Sequence, residues 1–256
     1  MTNEVTFGAW PKVVNRILSP DHLVGRALMS ARIRAQLLGW RPGDEGERRV
    51  KTMIGRVAPA FTMVDLTRLR LLVRLASDVH TRKVPGCVVE CGTWKGGGLA
   101  LMDWALREHG DRRTLWGFDS FEGLPAPSAN DDVRSKRMFF DGWCAASPAD
   151  VQRAFATVGG GHEQLRIVRG WLSDTLSTSE TGPIALLNVD VDWYESVKIT
   201  LDVLYERVSA AGVVNIDDFG RWAGCDLAVH EFLASHGLAR TVLNRTGRHG
   251  AWFVKP

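Results

Sequence analysis

The 256-residue chain has no apolar run near the ~18 residues that a membrane-crossing helix needs. No membrane partner is therefore expected. It has only four cysteines, Cys87, Cys91, Cys144 and Cys225, without a CxxC pair or a Cys/His grouping, so zinc has no evident ligand set. Cys87 and Cys91 share a predicted strand and lie about 13 Å apart at ~3.3 Å per residue, too far to bridge. Charge of one sign is also scarce. The formal net charge is +3, too small to argue for nucleic acid. Most of it is local, because residues 1–42 carry six Lys/Arg against Glu4 and Asp21. The first residues show no charged region followed by a long apolar one, so no signal peptide is apparent. A reduced, cytoplasmic protein is expected. Internal repeats and low-complexity tracts are absent.

What remains is ordinary globular sequence, 45% hydrophobic and 24% charged, enough for one large α/β domain. Residues 13–38 read as one or two basic amphipathic helices, broken near Ser19-Pro20. Such an arm suits packing on its own domain or on a second subunit, with anionic lipid as the alternative. Residues 41–50 read as a polar connector, giving an arm over 1–50 and a main domain over 51–256. From Thr62 onward strands and helices alternate. The pattern predicts helices near 64–80, 97–108, 148–157, 195–208 and 226–235. Strands are predicted at 87–91, 114–118, 165–168, 183–189, 212–216, 239–244 and 250–254. This order argues a doubly wound sheet with right-handed crossovers. Residues 122–147 are irregular and longer than an ordinary loop, which predicts a lid over a site.

Two apolar runs stop at carboxylates: Ile184-Ala-Leu-Leu-Asn-Val189 at Asp190-Val-Asp192, and Gly212-Val-Val-Asn-Ile216 at Asp217-Asp218. Neighbouring strand ends meet in the crevice where open α/β sheets bind ligands. Three or four like charges there call for a cation, and all-oxygen ligation suits Mg²⁺, Mn²⁺ or Ca²⁺. The alternative is aspartates capping the helices that follow.

Glu90-Cys-Gly-Thr-Trp-Lys-Gly-Gly-Gly98 follows a predicted strand and opens a helix. Glycines there let a ligand approach the backbone. Trp94 occupies the second glycine position of the dinucleotide fingerprint, which disfavours a close pyrophosphate and favours an amino-acid moiety, with Glu90 available to its ammonium. Asp119 ends the next strand, where an acid can accept both ribose hydroxyls. Gly170-Trp171 would offer backbone and an aromatic face to an adenine. The three together point to S-adenosylmethionine (SAM).

These segments resemble the macrocin O-methyltransferase family of SAM- and Mg²⁺-dependent sugar methylases of antibiotic biosynthesis. The matching stretches are Thr62-Met63, Val84 to Gly97, Asp119-Ser-Phe-Glu-Gly-Leu-Pro125, Val168 to Trp171, Asp190 to Ser196, Ile216 to Phe219, and Ala228-Val-His-Glu231. The resemblance implies a class I SAM-methyltransferase fold, Rossmann-like, with a mostly parallel seven-stranded sheet. It implies Asp190, Asp217 and Asp218 as Mg²⁺ ligands, and Asp190 as general base with Asp192 the runner-up. If the strand ran on, Asp192 would share Asp190's face. It further implies a SAM site lined by Thr62, Met63, Glu90, Gly92, Thr93, Trp94, Lys95, Gly96, Asp119, Ser120, Phe121, Gly170 and Trp171. A small glycoside or polyol acceptor and a homo-oligomer are expected. Departures are Val191 where the family has Gly, Trp193 where it has a smaller residue, and no His or Tyr in residues 122–147. Trp143, Trp193 and Trp222 are either core residues or faces for a sugar. Rival readings are a metal-dependent glycosyltransferase using Asp190-Val-Asp192, and a non-catalytic SAM-binding scaffold.

Overall fold

Seven strands form one sheet in the order β3-β2-β1-β4-β5-β7-β6. The computed structural model describes residues 23–161 and 163–256. The strands are β1 (Cys87–Cys91), β2 (Leu115–Asp119), β3 (Leu165–Arg169), β4 (Ile184–Val189), β5 (Val208–Ile216), β6 (Asn244–Arg245) and β7 (Ala251–Val254). β1 to β5 are parallel, while β7 runs antiparallel to both neighbours. Strand order reverses between β1 and β4, which places the ligand crevice beyond their carboxyl ends. The doubly wound, mostly parallel seven-stranded sheet expected from sequence is observed.

Nine helices flank this sheet among the described residues: α1 (Leu23–Gly39), α2 (Glu45–Val57), α3 (Leu66–Thr81), α4 (Gly97–Glu108), α5 (Val133–Met138), α6 (Pro148–Thr157), α7 (Leu172–Thr175), α8 (Tyr194–Leu204) and α9 (Ala223–Ser235). One apolar cluster packs α1 to α4 and α6 on one face of the sheet, around Ile54, Leu69, Leu72 and Leu99. The other packs α8 and α9, around Trp193, Leu201, Trp222 and Phe232. No described helix is long and apolar enough to cross a membrane.

Several expected boundaries need correction. The connector at 41–50 is helical from Glu45, because the Asp44 side chain accepts the Glu47 N–H and caps α2. The helix expected to end at 208 gives way after Leu204 to a 3₁₀ turn, and β5 begins at Val208 rather than 212. The strand expected at 239–244 shrinks to Asn244–Arg245. The segment 122–147 is not wholly irregular, since Asp132 caps the short helix α5. Residues 1–22 of the expected arm, including the first part of the helical stretch expected over 13–38, lie outside the described residues.

Candidate active site

Register brings the acidic strand ends side by side. Glu90 pairs with Asn188, and Asn188 with Asn215, across β1, β4 and β5. Their side chains form a buried relay in which Asn215 Nδ2 donates to Asn188 Oδ1 (2.6 Å) and Asn188 Nδ2 donates to Glu90 Oε1 (2.9 Å). Just beyond this relay Asp190 N–H donates to Cys91 O, and Asp217 N–H to Val189 O, each at 2.9 Å. Both aspartates thereby project at the same level of the crevice. Gly92 sits opposite at φ +83°, and a Cβ there would lie 1.8 Å from the Asp190 carbonyl oxygen. Only glycine permits this crossing of β1 and β4.

Asp190, Asp217 and Asp218 each offer a carboxylate oxygen within 4.8 Å of the others. Asp217 and Asp218 are 3% exposed, and Asp217 Oδ1 and Asp218 Oδ2 have no hydrogen-bond partner among the described residues. Buried carboxylate oxygens without donors are costly, so the set fits a hard divalent cation held by oxygen ligands. Burial, then Asp217 and Asp218, push the Asp190 carboxyl well above its ordinary range. Burial and Asp218 raise Asp192 to about 8. For Asp217, burial outweighs the opposing pull of Arg68 and raises it to about 6.

Asp192 joins this cluster by a turn, not by a continuing strand. β4 ends at Val189, Asp192 adopts φ +55°, and the Trp193 N–H donates back to Val191 O at 2.6 Å. Its Oδ1 accepts the indole N–H of Trp222 at 2.7 Å. Trp193 and Trp222 are fully buried and meet edge-on at 5.0 Å, so both are core residues. Trp143 lines the cavity and meets Trp193 edge-on at 6.1 Å.

The residue that sequence reasoning missed is Arg68. It lies 5% exposed on α3, pairs with Asp217 Oδ2, donates to Asp65 Oδ2 at 3.0 Å and to the Asp217 carbonyl at 3.1 Å. Burial alone would lower its pKa, but Asp217, Asp218, Asp65 and Asp190 together hold it above the ordinary arginine value. An arginine one helical turn from Leu72 and two from Leu75, on the buried face, was the available signal.

The residues expected to hold the cofactor lie mostly along the same cavity, whose volume is about 920 Å³. Glu90 is buried, and its Oε2 has no partner among the described residues. Burial, only partly offset by Asn188, raises its pKa to about 8. Asp119 Oδ2 accepts the Trp94 N–H (2.6 Å) and Oδ1 the Phe121 N–H (2.7 Å). Each oxygen keeps a lone pair for a ligand hydroxyl. Burial raises the Asp119 pKa against these two bonds. Thr62, Met63, Glu90, Gly92, Thr93, Trp94, Asp119, Ser120 and Trp171 all line the cavity.

Lys95, Gly96, Phe121 and Gly170 are not on its wall. The Lys95 ammonium sits over the Trp94 ring at 4.5 Å, and Gly96 takes the left-handed N-cap position of α4. Helix α1 adds Arg32, Ile33 and Gln36 to the wall, so the arm reaches the site.

Comparison with known proteins shows the family. The family profile described as Macrocin-O-methyltransferase (TylF) matches residues 1–255. The demethyldecarbamoylnovobiocin O-methyltransferase of Streptomyces niveus is 37% identical over 186 residues, 71% of each chain. The 8-demethyl-8-(2,3-dimethoxy-alpha-L-rhamnosyl)-tetracenomycin-C 4'-O-methyltransferase of Streptomyces olivaceus is 37% identical over 206 residues, 78% of each chain. Among solved structures, that of the O-methyltransferase NovP superposes with a TM-score of 0.72 at 30% identity, covering 96% of this chain and 99% of its own. With the family established, the glycosyltransferase reading of Asp190-Val-Asp192 falls away. The chain belongs to the macrocin-O-methyltransferase family and is a SAM-dependent O-methyltransferase.

Proposed function

We propose that the enzyme methylates a sugar hydroxyl of a natural product, assisted by a divalent cation held by Asp190, Asp217 and Asp218. The observation that carries this reading is the trio itself, in which Asp217 and Asp218 are buried and each keeps a carboxylate oxygen without a partner among the described residues. Methyl transfer alone does not require it. The named activities of relatives support the acceptor class, since one of them is a mycinamicin III 3''-O-methyltransferase from Micromonospora griseorubida. A bound cation would supply Lewis acidity, lowering the pKa of a sugar hydroxyl and orienting it. SAM would supply an electrophilic methyl group for in-line displacement.

The residues of the chain do the rest. Arg68 neutralises one Asp217 oxygen and leaves the other toward the cavity. Asp190 takes the acceptor proton. Glu90 and Asp119 hold the ammonium and the ribose, and Trp171, 37% exposed, offers its face to the adenine. Trp143 and the 122–147 segment limit water access from the acceptor side. Incubation with methyl-labelled SAM, Mg²⁺ and a panel of glycosides tests the reading. Label should pass to glycosides carrying free vicinal hydroxyls and not to their aglycones. Transfer to aglycones alone would contradict it.

The cofactor assignment makes its own prediction. Asp119→Ala removes two charge-assisted bonds to the ribose, each worth roughly 1.5–3 kcal/mol. Calorimetry should show SAM affinity falling at least a hundredfold in a protein that remains folded. Unchanged affinity would move the ribose elsewhere.

A further inference from the structure

The 122–147 segment contains a buried carboxylate that the chemistry above does not use. Asp131 is 3% exposed. Its Oδ2 accepts the N–H of Ser128 (2.8 Å) and its hydroxyl (3.1 Å), closing a turn within the segment. Its Oδ1 accepts the N–H of Tyr194 at 2.9 Å, the first residue of α8. The same oxygen lies against Gly224 in the first turn of α9, where a Cβ would come within 2.0 Å of it. The adjacent Asp132 carboxyl is held below its ordinary range by the Ser135 N–H and hydroxyl and by the nearby Ala223 N–H.

These contacts replace something the helices lack. The N-cap residues of α8 and α9 are Trp193 and Trp222, and neither makes a side-chain capping bond. First-turn N–H groups need acceptors, and a helix N-terminus favours an anion. The cap of α8 comes instead from a segment some sixty residues earlier, and the same carboxylate abuts the first turn of α9. α8 begins two residues after Asp192, and α9 five after Asp218. Trp193 Nε1 also donates to Pro125 O at 2.9 Å, and Arg134 donates to Arg221 O at 3.4 Å. The segment is bolted to both aspartate-bearing turns rather than hinged over them.

We infer that Asp131 is a positioning residue. By capping α8 and abutting α9 with one carboxylate, it fixes the spacing between the Asp190–Asp192 turn and the Asp217–Asp218 turn. It thereby presets the cation site while leaving the cofactor half, built on β1 and β2, untouched. The inference rests on the cation reading above.

Mn²⁺ titration followed by electron paramagnetic resonance, with SAM calorimetry beside it, separates the possibilities on the full chain. Asp131→Ala should weaken Mn²⁺ binding at least tenfold and leave SAM affinity within threefold of wild type. Asp131→Asn can still accept the Tyr194 N–H but sets an amide N–H₂ against the Ser128 N–H, so it should recover part of the Mn²⁺ affinity. Gly224→Ala displaces the carboxylate from the α9 side alone and should give the same selective loss; it decides the matter if Asp131→Ala does not fold. Unchanged Mn²⁺ affinity together with faster tryptic cleavage at Arg134, Lys136 or Arg137 would overturn the inference and leave Asp131 a tether of the segment. Equal loss of SAM and Mn²⁺ binding would overturn it in favour of a general folding role. A wild-type chain that binds no Mn²⁺ would bring down the cation reading, and this inference with it. Wild-type binding with an unaffected Asp131→Ala brings down this inference alone.

Discussion

Asp190→Asn should lower turnover by roughly 10²–10⁴-fold, the usual size of a general-base contribution, while SAM and Mg²⁺ still bind. The substitution keeps an oxygen for the cation but removes the proton acceptor. Asp190 is the better base for three reasons. Asp217 has one oxygen committed to Arg68, and its pKa reaches only about 6. Asp192 has one oxygen committed to the Trp222 indole. Asp190 has no such partner among the described residues, and its pKa is driven well above the ordinary range by burial and by Asp217 and Asp218. Asp217→Asn and Asp218→Asn should act mainly on metal affinity and be partly rescued by more Mg²⁺. Single-turnover rates at saturating Mg²⁺ check the distinction. A normal rate for Asp190→Asn would pass the role of base to Asp192.

Chelation should abolish turnover, Mg²⁺ should restore it, and SAM should bind either way, because the trio and the cofactor contacts occupy different strand ends. Stability should respond as well. The ordinary carboxylate pKa near 3.8 rises in the folded protein to about 6 for Asp217 and about 8 for Asp192. A raised folded pKa means that the folded state holds protons the unfolded chain has released. The stability this confers is complete below about pH 4 and is lost as pH climbs through about 6 and then about 8. Metal-free protein should therefore melt at progressively lower temperature across that window. Mg²⁺ takes the place of the protons, so the gap in melting temperature between Mg²⁺ and EDTA samples should widen with pH. Thermal scans from about pH 5 to about pH 8.5 read this directly. A constant gap, or full turnover after chelation, would mean that the trio serves no cation.

Much of the frame was legible because local chemistry and global topology agreed. β1, α4 and α6 fall where the alternation of apolar runs and helical stretches predicts. The acidic ends of β4 and β5 were legible because an apolar run that stops at a carboxylate marks both strand end and crevice. What could not be read depends on partners distant in sequence. Arg68 meets Asp217 from 149 residues away, and its place on the apolar face of α3 marks it as buried without naming that partner. The helix at Glu45 was hidden behind a polar composition, although Asp44 followed by Glu47 is a capping signal. Asp192 reaches the cluster through a left-handed turn that the period-two rule does not describe. The irregular composition of residues 122–147 suggested a mobile cover, yet Asp131 and Pro125 fasten the segment to α8.

Anomalous diffraction from crystals grown with Mn²⁺ and S-adenosylhomocysteine tests the central claim most directly. It should show a single strong Mn²⁺ peak in contact with the carboxylates of Asp190, Asp217 and Asp218, with Arg68 still paired to Asp217. The ribose of the cofactor product should lie on Asp119. Ordered cofactor product with no Mn²⁺ at the trio, or Mn²⁺ bound elsewhere in the cavity, would contradict a cation-assisted methyl transfer.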